Sequence, residues 1–322
     1  MSNPQVLCLG EILWDCLADQ PGRALAAVDS WTPYPGGAPA NVACALVKLG
    51  TSAGFIGCVG EDAPGTQLRA LLQQTNVNIE GLQTHADAPT RQVYVTRTLE
   101  GDRTFAGFGN YDTSIFADTQ LQADHLPANL FVNADYLILG TLALAYPQSA
   151  AAVRQALQLA QQHQVKILID VNWRPVFWTD PEAARQIILQ ILPNAHYVKL
   201  AEEEAQWLWK TDHPQALVKA LPSAQGVIVT AGAKGCAYCF REMCGTRPGF
   251  TVQVQDTTGA GDAFVAGLIH QLITTDHPPD RQSAQAMMTY ASAVGALTTT
   301  QAGAIAAQPT ADEVATFLQT QR

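Results

Sequence analysis

DTTGAGDAF, residues 256–264, sits between two runs of opposite character. GFTVQV (249–254) ahead of it alternates as a strand does, and AFVAGLIHQLI (263–273) behind it repeats apolar residues at the i, i+3 and i+4 spacing of a helix. The small residues therefore fall where a strand ends and a helix begins. A helix start presents unpaired amide N–H groups and partial positive charge, which suits an anion. Gly259 and Gly261 leave that backbone uncovered, so a phosphate can approach it closely. Asp262 then stands at the mouth of an anion hole. It reads either as a base taking the proton of an attacking hydroxyl or as a plain helix cap.

Outward from this junction, strand-like and helical runs alternate along most of the chain. VLCLG (6–10), AGFIGCVG (53–60), YLILG (136–140), KILIDV (166–171), HYVKL (196–200) and GVIVTAG (226–232) read as buried strands. Helical patterns cover about 40–49, 65–74, 148–162, 181–192 and 202–209, then 261–273, 281–299 and 310–320. Such alternation predicts an α/β fold, a doubly wound and mostly parallel sheet in one domain over residues 1–322. Two stretches break the pattern. Residues 12–34 carry polar turns and aromatics, and 91–108 read as a hairpin turning near Glu100-Gly101-Asp102. Together they predict a small β lid over the carboxyl ends of the core strands, where such folds bind ligands.

With 322 residues, 48% hydrophobic and 14% charged, the chain can bury a substantial core. No apolar run reaches membrane-spanning length and the N-terminus lacks a basic leader, so a cytoplasmic location and no membrane partner are expected. A net charge of −10 without a Lys/Arg cluster argues against nucleic acid but not against a small anion held locally. The seven cysteines are expected as reduced, buried thiols. Cys236, Cys239 and Cys244 resemble part of a zinc site, although no partner pair accompanies them.

A second glycine site is YPGGAPANVACALVKLG (34–50). Gly36 and Gly37 precede a helix with Asn41 in its first turn, an arrangement that suits sugar hydroxyls and equally a simple loop-to-helix turn. Asp15, just past the first strand, is a further candidate hydroxyl acceptor or an ordinary loop acid. No GxxxxGK[ST] phosphate loop occurs, and no GxGxxG follows the first strand, which weakens a dinucleotide oxidoreductase.

GGAPANVACALVKLG and DTTGAGDAF, in this order, resemble the two signatures of the ribokinase-like carbohydrate kinase family, also called the phosphofructokinase-B family. The resemblance extends over essentially the whole chain. It implies that Asp262 is the catalytic base, that Gly259, Ala260 and Gly261 form the anion hole, and that Asp15, Gly36, Gly37 and Asn41 hold the sugar. VTAGAKG resembles the nucleotide strip and implies Thr230, Gly232 and Gly235 beside ATP. Asp256, Thr258 and the carbonyls near Gly303 resemble a monovalent-cation loop, which implies potassium. The family's Asn-x-x-Glu corresponds here to Ala201-Glu202-Glu203-Glu204, so Glu204 would meet magnesium through water while the Asn is missing. Lys199 is a candidate replacement at the phosphates, or a solvated strand-end lysine. Arg174, in the DVNWRPVFW run shared with fructokinases and ketodeoxygluconate kinases, is a candidate cation at the site or a partner for a capping acid.

These implications predict an ATP- and Mg²⁺-dependent sugar kinase. The spacer Ala38-Pro39-Ala40 resembles fructokinases, with Pro39 stiffening the turn before Asn41, and D-fructose is the expected substrate. Ketodeoxygluconate is the alternative, its carboxylate met by Arg91, Arg97 or Arg103 of the hairpin. Ribokinase or nucleoside kinase activity, and a non-catalytic interaction module, are further alternatives. Apolar lid residues such as Val93 and Val95 fit either an intrachain lid or a homodimer through the lid strands.

Overall fold

The computed structural model describes residues 3–98, 103–109, 111–275 and 280–321, the side chains of Arg103 and Thr104 excepted. The chain opens with β1 (Val6–Leu9), β2 (Leu13–Ala18), β3 (Trp31–Gly36) and α1 (Ala38–Lys48). β4 (Ala53–Gly60), α2 (Ala63–Gln74) and β5 (Asn78–His85) follow, then β6 (Gln92–Arg97) and β7 (Arg103–Gly107). α3 (Ala128–Phe131), β8 (Tyr136–Leu139), α4 (Pro147–Gln162), β9 (Lys166–Asp170) and α5 (Pro181–Ile191) form the middle. β10 (Tyr197–Ala201), α6 (Glu202–Trp209), α7 (Pro214–Ala220), β11 (Gly226–Thr230), β12 (Gly235–Phe240) and β13 (Met243–Pro248) come next. α8 (Ala260–Thr274), α9 (Arg281–Thr298) and α10 (Ala311–Thr320) close the chain.

The main sheet runs β13-β12-β11-β10-β9-β8-β1-β4-β5, parallel from β11 to β5, with β12 and β13 antiparallel at one edge. Its strands are nearly continuous apolar runs because both faces are covered. Alternation splits them cleanly: Val6 and Cys8 of β1 enter the core under α1, α8 and α9, while Leu7 and Leu9 enter the opposite core under α4. Helix starts are fixed locally. Asp62, Asp180 and Asp280 each accept a first-turn amide, and Thr310 with Glu313 forms a reciprocal cap.

Four strands leave the core as expected and build a second sheet, β3-β2-β6-β7. This is the lid. The hairpin turn expected at 100–102 lies outside the described residues.

Two expectations are corrected. Residues 249–254 form no strand: β13 ends at Pro248, Gly249 N donates to the Lys234 carbonyl at 3.2 Å, and the segment beyond joins no ladder. Nor are all seven cysteines thiols, because Cys239 and Cys244 face each other across the β12–β13 turn and are joined as a disulfide. The two-residue turn brings those Cα atoms to 4.0 Å. Cys8, Cys16, Cys44, Cys58 and Cys236 are free and buried.

Candidate active site

At the carboxyl ends of β1, β9 and β10, below the lid, lies a cleft of about 690 Å³. The order of strands reverses beside β1, the position where open α/β sheets collect ligands. Two chain crossings shape it. Gly37 has φ +102° and lies so close to the loop after β1 that a Cβ would meet the Glu11 carbonyl at 2.5 Å. Gly259, at φ +78°, packs equally tightly on Ala304, where a Cβ would come within 2.8 Å. Both positions demand glycine.

Gly259 caps α8, so the helix opens into the cleft with Gly261 and Asp262 in its first turn. First-turn amides have no partner inside their own helix and are available to an anion. The Ala260 amide leans back on the Thr257 carbonyl at 3.3 Å, which leaves Gly261 and Asp262 as the better donors. Asp262 is not a cap but a half-buried carboxylate whose Oδ2 accepts from Asn41 Nδ2 at 2.8 Å. Burial pushes its pKa up to about 6, against the pull of the Asn41 amide, and the Asp170 charge raises it further. Asn41, expected on the sugar, lines the cleft and gives one of its two amide N–H donors to Asp262.

Lys199 is no solvated lysine. Its side chain is buried, and Nζ donates to both oxygens of Asp170 at 3.0 and 3.1 Å. Burial opposes the charge, yet Asp170, with Glu204 and Asp262 nearby, holds the ammonium above the usual lysine range. The ammonium lies against Gly261, 3.4 Å from where a Cβ would be. Glu204 uses Oε1 to accept from Trp173 N at 2.6 Å and Oε2 to accept from Ala201 N at 2.7 Å. It therefore ties the loop after β9 to the start of α6, and burial raises its pKa, with Asp170 adding to the shift.

On the lid side, Asp15 lines the cleft, and Gly36 makes room for it, since a Cβ there would meet Asp15 Oδ2. Val93, Phe105, Val176 and Phe177 supply apolar walls. Arg174 is exposed and lines the cleft. The expected row of lid arginines does not form. Arg91 precedes β6 and is buried, with Nε and Nη2 donating to Asp118 at 2.8 and 3.0 Å. Arg97 donates to the carbonyls of Ala18 and Asp19 at 3.1 and 3.2 Å. Arg103 begins β7, and its side chain lies outside the described residues.

A second cleft of about 310 Å³ adjoins the first, and Thr257 and Gly261 line both. Thr230, Gly232 and Gly235 line it, with Phe250, Val252, Phe264 and Ala296 giving an apolar slot fit for a flat ring. Beside it, Asp256 knots the glycine loop. Its Oδ1 accepts from the Thr258 amide and hydroxyl at 3.0 and 2.7 Å, and Oδ2 accepts from Gly303 N at 2.9 Å. No group of three or more His, Cys, Asp or Glu side chains fit for a metal occurs among the described residues. No helix among them is long and apolar enough to cross a membrane.

A sequence model of the pfkB family carbohydrate kinases matches residues 3–311. The chain belongs to the pfkB carbohydrate kinase family. This kinase is 36% identical to fructokinase-2 of Zea mays over 312 residues, 96% of this chain and 92% of that one. Its fold matches a fructokinase of Xylella fastidiosa solved with bound ATP at a TM-score of 0.88, with 30% identity and 98% of each chain covered. A double-mutant fructokinase of Vibrio cholerae O395, solved with fructose, ADP and potassium, matches at a TM-score of 0.84 and 28% identity, over 99% of this chain and 100% of that one. The ribokinase-like fold and sugar kinase class expected from the two signatures are therefore correct for this pfkB kinase.

Two buried acids of the kinase escaped the sequence reading. Asp170 ends β9 and pairs with Lys199. Glu11 follows β1, lines the cleft and accepts from Ala38 N at 3.0 Å, and burial pushes its pKa to about 7. The one usable signal was an acid closing or directly following an apolar strand.

Proposed function

We propose that this kinase transfers the γ-phosphoryl group of ATP to a primary hydroxyl of D-fructose. The observation that carries the reading is the Asp262 carboxylate, half-buried in the cleft and held by Asn41 beside a glycine-opened helix start. The sugar lies under the lid near Asp15, its target hydroxyl directed at Asp262. That hydroxyl oxygen attacks the γ-phosphorus, the bond to the β-γ bridging oxygen breaks, and ADP departs. The hydroxyl proton passes to Asp262. Amides of Gly259, Gly261 and Asp262, with Lys199 against Gly261 and Arg174 at the rim, stabilise the charge on the transferring group.

The nucleotide base occupies the apolar slot beside Thr230, Gly232 and Gly235. Magnesium carried by the phosphates would neutralise their charge, and the lone pairs Glu204 has left over fit a water-mediated contact. Lys199 replaces the missing Asn at position 201 as the fixed charge under the phosphates. The relatives' fructose, ATP and ADP support this reading. A cytoplasmic site of action is part of the same proposal, as is pairing of two copies through the lid edge, where Phe105 is exposed.

ADP release measured across fructose, ribose, ketodeoxygluconate, glucose and adenosine tests the substrate. Fructose should give the highest kcat/KM. A value for ketodeoxygluconate about tenfold above that for fructose would overturn the choice. That sugar acid is a second reading because Arg174 lines the cleft and offers a carboxylate partner.

Potassium should activate. The Asp256 carboxylate and the neighbouring carbonyls offer a hard, oxygen-rich setting, and a cation there would stiffen the loop carrying Gly259 and Gly261. Rates in potassium and in tetramethylammonium at equal ionic strength should differ several-fold, and equal rates would reject the idea.

A further inference from the structure

Lys48, in the last turn of α1, points its ammonium into the loop between α9 and α10. Nζ donates to three carbonyls there: Ile305 at 2.7 Å, Gln308 at 3.1 Å and Ala306 at 3.2 Å. Gly303, Ala304, Ile305, Ala307 and Gln308 of that loop are buried. Three carbonyls converging on one half-buried ammonium form charge-assisted bonds, stronger than neutral ones.

The loop reaches the reacting groups by two independent routes. At one end, Gly303 N donates to Asp256, and Ala304 packs directly on Gly259. At the other, Gln308 Nε2 donates to the Asn41 carbonyl at 2.8 Å, and the Asn41 side chain in turn donates to Asp262. One loop thus backs both the glycine that opens the helix and the amide that orients the carboxylate. Lys48 is the charge that seats this loop against α1.

We propose that Lys48 is a positioning residue for phosphoryl transfer, acting through the 303–308 loop on Gly259 and on the Asn41–Asp262 pair. It touches neither substrate. Its removal lets the loop ride away from α1, and the anion-hole amides and the base lose their mutual alignment. A misplacement of about 1 Å at reacting groups costs on the order of 10²-fold in rate. The inference rests on the role proposed above for Asp262.

Lys48→Met should lower kcat by about tenfold or more, while KM for fructose and ATP stays near wild type. Hydrogen exchange should speed up at amides 256–262 as well as 303–308. Lys48→Arg should restore most of the rate, since a guanidinium can also donate to several carbonyls. A folded Lys48→Met with wild-type kcat and unchanged exchange at 256–262 would overturn the proposal, whatever its melting temperature. Should that variant fail to fold, Gln308→Leu cuts the other end of the same loop; wild-type kcat and exchange there would equally overturn it. Asp262→Asn is assayed alongside. Activity retained in that variant sinks the role of Asp262 itself, whereas an inactive Asp262→Asn with a fully active Lys48→Met sinks only the role of Lys48.

Discussion

Asp262→Asn should lower kcat by roughly 10²–10⁴-fold with a modest change in sugar KM. The geometry makes this a clean substitution. Asn41 Nδ2 donates to Asp262 Oδ2 at 2.8 Å, and an amide oxygen at 262 can accept the same bond. Shape and contact are kept, and only the ability to take a proton is lost. The same carboxylate sets a pH limb. Burial raises its pKa to about 6, so the proton is retained to a higher pH than on an ordinary aspartate. Only the deprotonated form accepts the hydroxyl proton, so kcat/KM should rise as pH climbs through about 6 and fall below it. Steady-state assays with fructose and ATP check both points. A variant keeping more than half of wild-type kcat would remove Asp262 from the reaction.

Arg91→Ala should destabilise the protein by about 3–5 kcal/mol, the usual cost of breaking a buried ion pair from one side. The guanidinium is fully enclosed and grips Asp118 with two parallel bonds. It also donates to the Thr113 carbonyl at 3.2 Å. Four rings surround it: Phe116, Phe177, Phe108 and Tyr146, at 4.6, 5.0, 5.5 and 5.8 Å from their centroids. Removing the arginine strands the Asp118 charge in this cage and leaves a void among the rings. Urea unfolding reads the loss directly. Replacing both partners by apolar residues, Arg91→Met with Asp118→Leu, should cost less than Arg91→Ala alone, because no charge is then stranded. A loss below about 1 kcal/mol in the single variant, the range of exposed pairs, would refute the assignment. Phe177 belongs to the cleft wall, so fructose KM should rise in the same variant.

The sheet was legible because its parallel strands are buried on both faces and read as continuous apolar runs. The helix starts were legible through their caps. Residues 249–254 misled for a physical reason. Phe250, Val252 and Val254 recur at every second position because they line the slot beside Gly235, not because they belong to a ladder. Period two reports that alternate side chains share a surroundings, and a cleft wall supplies that as well as a sheet face. Asp262 and its glycines could be read from local spacing, since a helix start and its ligand site lie within a few residues. Asp170, Glu11 and Asp118 could not. Each owes its role to a partner 27 or 29 residues away in sequence, and no local pattern encodes such a pairing. Arg91 read as a lid residue for the same reason.

Thr257 and Gly261 form a single partition between the two clefts. If sugar fills one side and nucleotide the other, neither can shift that partition without being felt across it. The two occupancies then share one interaction free energy. Whatever factor bound nucleotide contributes to sugar affinity, bound sugar returns to nucleotide affinity in equal measure. A substitution at Gly261 faces both clefts and is expected to disturb both affinities, whereas a change on the lid side of the cleft bears on the sugar first.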